Sequence, residues 1–103
     1  MIPAINVPKT DRLYKYSDPV KAQKKATRYI HRTLYKSTKK EKKYSVLDDY
    51  GHVVHFGQMG YEDYTKHLDR RRRRNYLTRS KSIKGNWKLN KFSPNHLSRK
   101  ILW

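Results

Sequence analysis

The period at which apolar side chains recur changes along this chain, and each change marks an element. In "KYSVLDDYGHVVHFGQ" the period is two: Tyr44 and Val46 alternate with Ser45 and Leu47, then Val54 and Phe56 alternate with Val53 and His55. This is the pattern of strands with two distinct faces. Asp48, Asp49 and Gly51 stand between the two runs with turn chemistry, so a β-hairpin is predicted over about residues 43–58. Upstream, Ser17 or Asp18 followed by Pro19 reads as an N-cap and first turn, opening a short helix to about Thr27. Residues from Tyr29 to Lys36 suit helix or strand equally, and no element is assigned to 28–42. Pro3 and Pro8 remove two backbone donors and bias their neighbours toward extended geometry, so residues 1–16 read as an extended arm.

Beyond Gly57 and Gly60 the period becomes helical. On a wheel of about 100° per residue, Tyr61, Tyr64, Leu68 and Tyr76 share one sector with Arg72, while Arg70, Arg71, Arg73 and Arg74 fall on the wet sides. The spacing predicts a long basic helix over about 61–80. Glu62 and Asp63 lie where its dipole favours negative charge, and Asp69 is a second cap if the helix breaks near Leu68. Ser93 and Pro94 open a short C-terminal helix whose last residues, Ile101, Leu102 and Trp103, should dock on the core or on a neighbour. The resulting fold class is α+β: an extended arm over 1–16, then one small domain over 17–103 in which the hairpin packs with the two helices. Tyr61, Tyr64, Leu68, Arg72, Tyr76, Trp87 and Trp103 are assigned to its interior.

Charge then decides what kind of partner to expect. There are 26 Lys+Arg against 8 Asp+Glu, a formal net charge of +18. Self-repulsion at that density disfavours an isolated compact monomer and calls for an anionic partner. Nine tyrosines, two tryptophans and two phenylalanines are more aromatics than a disordered basic tail carries. No cysteine is present, which removes disulfides and thiolate metal sites. Neither a bilayer-spanning apolar run nor a signal-peptide pattern is seen, though peripheral contact with an anionic membrane stays compatible with the charge.

Catalytic chemistry is thinly represented. Asp48 with Asp49 and Glu62 with Asp63 are explained by turn and helix-start roles, and a metal site built from Glu62, Asp63 and Asp69 is disfavoured on that ground. His52 and His55 are three apart on a strand, hence on opposite faces, with no ligand set to complete. No catalytic residue, metal site or cofactor is expected. What stands out is a basic surface: Arg70, Arg71, Arg73 and Arg74, extended by Lys81, Lys84, Lys88 and Lys91. These cations suit nucleic-acid phosphates or bidentate pairing with carboxylates of neighbouring proteins.

Residues 54–103 resemble a small uncharacterised family encoded by large nucleocytoplasmic double-stranded DNA viruses. The resemblance is carried by His55-Phe56-Gly57, Tyr61, Asp63-Tyr64, Asp69, Arg72, Tyr76, Arg79, Gly85 with Trp87, Ser93-Pro94 and Leu102-Trp103. It implies a virion setting and no activity. The expectation that follows is a non-enzymatic virion structural protein, assembled in the host cell. It would be a minor capsid protein whose arm and basic surface tie together other capsid proteins, the major capsid protein among them. The alternative is a protein that contacts viral DNA or RNA phosphates.

Overall fold

The hairpin shares one core with the N-terminal segment, the first helix and the C-terminal helix. In the computed structural model, which describes residues 1–85 and 87–103, β1 (Tyr35–Lys36), β2 (Lys42–Leu47) and β3 (Val53–Gln58) form an antiparallel sheet in that order. Leu47 faces Val53 and Tyr44 faces Phe56, with the Tyr44 and Phe56 rings 6.0 Å apart. Asp48 closes the turn by accepting the backbone N–H groups of Tyr50 and His52, both at 2.9 Å, while Gly51 takes a positive φ of 78°. Gly57 is required for another reason. A Cβ there would stand 2.8 Å from Leu102 Cδ1 at a φ of +79°, so C-terminal helix and strand can meet only over a glycine.

Four helices complete the α+β architecture: α1 (Pro19–Ile30), α2 (Tyr64–His67), α3 (Arg70–Lys81) and α4 (Pro94–Leu97). Helix α4 continues as a π-helical turn over Ser98–Leu102. Asp18 caps α1 by accepting from Val20 and Lys21, with Pro19 in the first turn. The helix runs one turn past Thr27 because Ala22, Ala26 and Ile30 form a buried stripe at helical spacing. Ser93 caps α4 as expected, accepting from His96 N at 3.2 Å. Leu97, Ile101 and Leu102 close the core.

Two expectations are corrected. Residues 1–16 are not an extended arm: Ala4–Asn6 and Arg12–Lys15 are 3-10 turns, and Ala4, Val7 and Leu13 are buried in the common core. Backbone bonds from Ala4 N to Leu34 O and from Lys36 N to Ile2 O, both 2.8 Å, fasten the segment to β1. The prolines set local geometry without preventing burial of the small apolar residues between them. The long helix over 61–80 is in fact two, because Leu68 turns left-handed at φ 55°. Asp63 and Asp69 each cap one piece.

Under this junction lies a fully buried polar chain. Lys43 Nζ donates to Asp63 Oδ2 at 3.0 Å and to the backbone oxygens of Tyr16 and Tyr61 at 3.2 and 2.5 Å. Asp63 Oδ1 accepts from Thr65 N and Thr65 Oγ1 at 3.0 and 2.5 Å. Thr65 Oγ1 also accepts from Asp18 N, so toward Ser17, 3.1 Å away, it can only accept. The Tyr44 hydroxyl, 2.6 Å from Ser17 Oγ, is therefore the donor at the far end, and burial keeps it protonated. Lys43 is 2% exposed. Burial favours its neutral form and the Asp63 carboxylate opposes that, the net being a pKa below the usual lysine value.

Candidate polyanion-binding surface

The five consecutive arginines open α3, and the turn of the helix gives them three different surroundings. Arg73, Leu77 and Ser80 face the C-terminal segment. Arg73 Nε donates to the Trp103 backbone oxygen at 2.6 Å, and Arg99 Nη1 reaches Leu77 O at 2.6 Å and Ser80 Oγ at 2.5 Å. Tyr76, beside this stripe, stacks on Trp103 with centroids 4.3 Å apart and 10° between planes. Arg72 and Arg79 border a groove on the next side. Arg70, Arg71 and Arg74 are exposed and make no ion pair among the described residues.

Arg72, expected inside, lies at the surface, and Arg73, also exposed, carries the bond to the C-terminal segment. Arg72 is 50% exposed and reaches only Glu62, at 3.4 Å; Arg73 is the arginine tied to the fold. Tyr61, Tyr64 and Leu68 set the phase of the helical wheel, and the left-handed residue at 68 breaks that phase before the arginines begin. For the same reason Tyr61 and Leu68, expected inside, are 67% and 52% exposed. Tyr64 and Tyr76 are half-buried and Trp87 is buried. Trp103 is half-buried between Tyr76 and His67, its ring 5.2 Å from the imidazole.

The fold also brings in cations that the sequence did not single out. Lys25 Nζ of α1 and the Arg73 guanidinium lie 5.7 and 5.5 Å from the centroid of the same Tyr64 ring. Arg28 and Lys100 share Tyr29 in the same way, at 5.6 and 5.9 Å. Partial burial first, then the nearby Arg73, hold the Lys25 pKa below its ordinary value: two cations stand together here with too little negative charge to offset them. One basic face therefore runs from α1 across the start of α3 to the end of the chain described. The signal was present in the i, i+4, i+7 spacing of Lys21, Lys25 and Arg28, but only the packing of α1 shows which face it joins.

Lys81, Lys84, Lys88 and Lys91 are exposed. Lys81 ends α3, about 16 Å along the axis from Arg70 at 1.5 Å per residue. Lys88 and Lys91 lie over Trp87 and Phe92 at 5.5 and 5.3 Å.

Four of the 26 lysines and arginines, Arg32, Lys36, Lys43 and Arg72, meet a carboxylate within ion-pair distance among the described residues. The remainder must be neutralised by solvent ions or by a partner. At the start of α3 the helix dipole adds positive potential, which Asp69 offsets through its cap bonds to Arg71 N and Arg72 N. Arg70, Arg71 and Arg74 therefore favour a ligand carrying several negative charges.

Among the described residues no group of three or more His, Cys, Asp or Glu could hold a metal ion, and no helix is long and apolar enough to cross a membrane. A family of unknown function, DUF5754, matches residues 32–80, just under half of the chain. That span takes in the whole sheet and all but the last residue of α3. No curated protein and no solved structure matches the chain.

Proposed function

We propose that this is a non-enzymatic nucleic-acid-binding protein that holds phosphates on the basic face made by α1, the start of α3 and the C-terminal segment. The observation that carries the reading is Arg70, Arg71 and Arg74, exposed and without carboxylate partners among the described residues, beside the Lys25, Tyr64 and Arg73 cluster. Cations interleaved with tyrosines suit a phosphate backbone and the rings attached to it. In the viral setting that the resemblance implies, the partner is the genome, and the protein accompanies it in the virion. A minor capsid protein tying subunits together needed both a basic surface and a reaching arm. The first 16 residues are folded into the chain's own core, which withdraws one of those two supports.

The test is fluorescence anisotropy with a short labelled duplex across a salt series. Each phosphate contact contributes about −0.9 to the slope of log K against log salt. Arg70, Arg71 and Arg74→Ala together are expected to make that slope shallower by about 2–3 and to weaken binding to all sequences alike. A wild-type protein that binds neither duplex nor single strand, yet is retained by acidic capsid surfaces, would return the capsid reading to first place.

A further inference from the structure

The side of α3 next to the packing stripe borders a groove of about 740 Å³, lined by Lys42 and Lys43 of β2, Phe56, Gly57 and Gln58 of β3, the 72/75/76/79 face of α3, and α4 with the turn that follows it. Its size falls within the range of about 300–1,000 Å³ usual for small-ligand sites. The floor is apolar, with Phe56 and Leu102 buried beneath it, and the walls include Tyr61 and Tyr76. Lys42, Arg72 and Arg79 stand on the lining against one carboxylate, Glu62, whose 3.4 Å contact with Arg72 is long and exposed. Asn75 and Gln58 add side-chain amides that make no hydrogen bond among the described residues, and Asn95 keeps its oxygen free.

An anionic group beside a flat ring with a hydrogen-bonding edge complements every part of this lining. We infer that the groove receives one unpaired nucleotide of a single-stranded nucleic acid, its base over the apolar floor against the tyrosine walls and its phosphate at Arg72, Arg79 and Lys42. This rests on the nucleic-acid reading above and sharpens it. A duplex keeps its bases stacked inside and can offer only phosphates, whereas an unpaired base can enter a concavity, stack on aromatic rings and meet amides. An acidic peptide would satisfy the cations and could meet the amides through its backbone, but its carboxylate side chains bring no flat ring to the tyrosine walls.

The full chain is titrated by anisotropy with a 12-mer single strand and with a 12-base-pair duplex. In parallel, adenosine 5′-monophosphate and inorganic phosphate are followed by tryptophan fluorescence, since Trp103 lines the groove. Tyr61→Ala, Asn75→Ala and Arg79→Gln alter exposed side chains that the fold does not use. Each is expected to weaken single-strand binding by about five- to tenfold, in line with loss of a stacked or hydrogen-bonded base, while duplex binding moves by less than about twofold. The mononucleotide is expected to change the tryptophan emission saturably, and inorganic phosphate at equal concentration is not. If the groove variants leave single-strand binding unchanged while Arg70, Arg71 and Arg74→Ala still weakens both ligands, the groove assignment fails and the basic-face reading stands. If wild type binds neither nucleic acid, both fail. Saturable binding of an oligoglutamate peptide, abolished by the groove variants and not competed by the mononucleotide, would overturn the nucleotide assignment in favour of an acidic protein segment.

Discussion

Among the five arginines, one position along the helix separates a structural side chain from a solvated one. Arg73 gives a charge-assisted hydrogen bond to the Trp103 backbone and covers Tyr64, whereas Arg72 meets Glu62 at the long end of ion-pair distance in full view of solvent. A hydrogen bond from a charged donor contributes about 1.5–3 kcal/mol, which partial exposure reduces. An exposed ion pair contributes roughly 0–1 kcal/mol. In urea denaturation Arg73→Ala is therefore expected to lower stability by about 1 kcal/mol, and Arg72→Ala by less than about 0.5 kcal/mol. The opposite ranking would mean that α3 is rotated about its axis by one residue from the arrangement described. The sequence contained the amphipathic pattern but not its phase. A left-handed residue between two helices is usually glycine or asparagine, and leucine at 68 gives no warning of one. Asp69 did mark the restart, and a wheel begun there rather than at Tyr61 would have placed Arg73 on the same side as Leu77 and Ser80.

At the level of elements, local chemistry was legible wherever a few neighbouring residues decide the outcome. Alternation with an Asp/Gly turn gave the hairpin, and Asp18-Pro19 and Ser93-Pro94 gave two helix starts. Contacts between distant segments were not legible, and the Lys43–Asp63 pair is the clearest instance. In the sequence Lys43 ends a run of basic residues, "KKEKK", that reads as solvated. In the fold it lies on a strand covered on both faces, since Lys43, Tyr44, Ser45 and Val46 are all buried, and its ammonium is the only part of the run with a buried carboxylate to meet. The pair joins β2 to the cap of α2 and, through Thr65 and Ser17, to the start of α1. Removing one member of a buried pair leaves the other charge without compensation, which typically destabilises by about 3–5 kcal/mol. Lys43→Met, similar in length and without charge, is expected to lose that much by urea denaturation, and a Lys43→Met, Asp63→Leu double variant to recover part of it. Equal stability of the single variant and wild type would show that the pair is wet and that β2 is covered on one face only.

The whole molecule carries its excess charge on a small core, and its stability should depend on whatever neutralises that charge. Screening acts over about 8 Å at physiological ionic strength, so salt or a polyanion relieves the repulsion among the cations around Tyr64 and Tyr29. Acid has the opposite effect. Burial, then the neighbouring cations Lys39, Arg72 and Lys100, hold His55, His67 and His96 below the ordinary histidine pKa. His67 in its neutral form accepts from Asp69 N at 2.9 Å, at the very residue that caps α3. A depressed folded-state pKa means that the unfolded chain binds the proton first. These histidines therefore leave stability intact above the unfolded value of about 6.5 and reduce it progressively as pH falls below that value. Asp11 and Asp69 are held low chiefly by the backbone N–H groups of Leu13 and Arg72, and Asp11 also by Lys36. They add a second loss as pH drops below about 4. Thermal melts from about pH 8 to pH 5 are accordingly expected to show a falling midpoint once pH passes below about 6.5. A short duplex should reduce the fall, because each proton taken up strengthens binding to the polyanion and binding stabilises the folded state. His67→Asn, which can still present an acceptor to Asp69 but does not titrate, should flatten part of the decline. A midpoint that is level between pH 8 and pH 5 with and without duplex would show that these imidazoles are freely solvated and that the basic face is not coupled to folding.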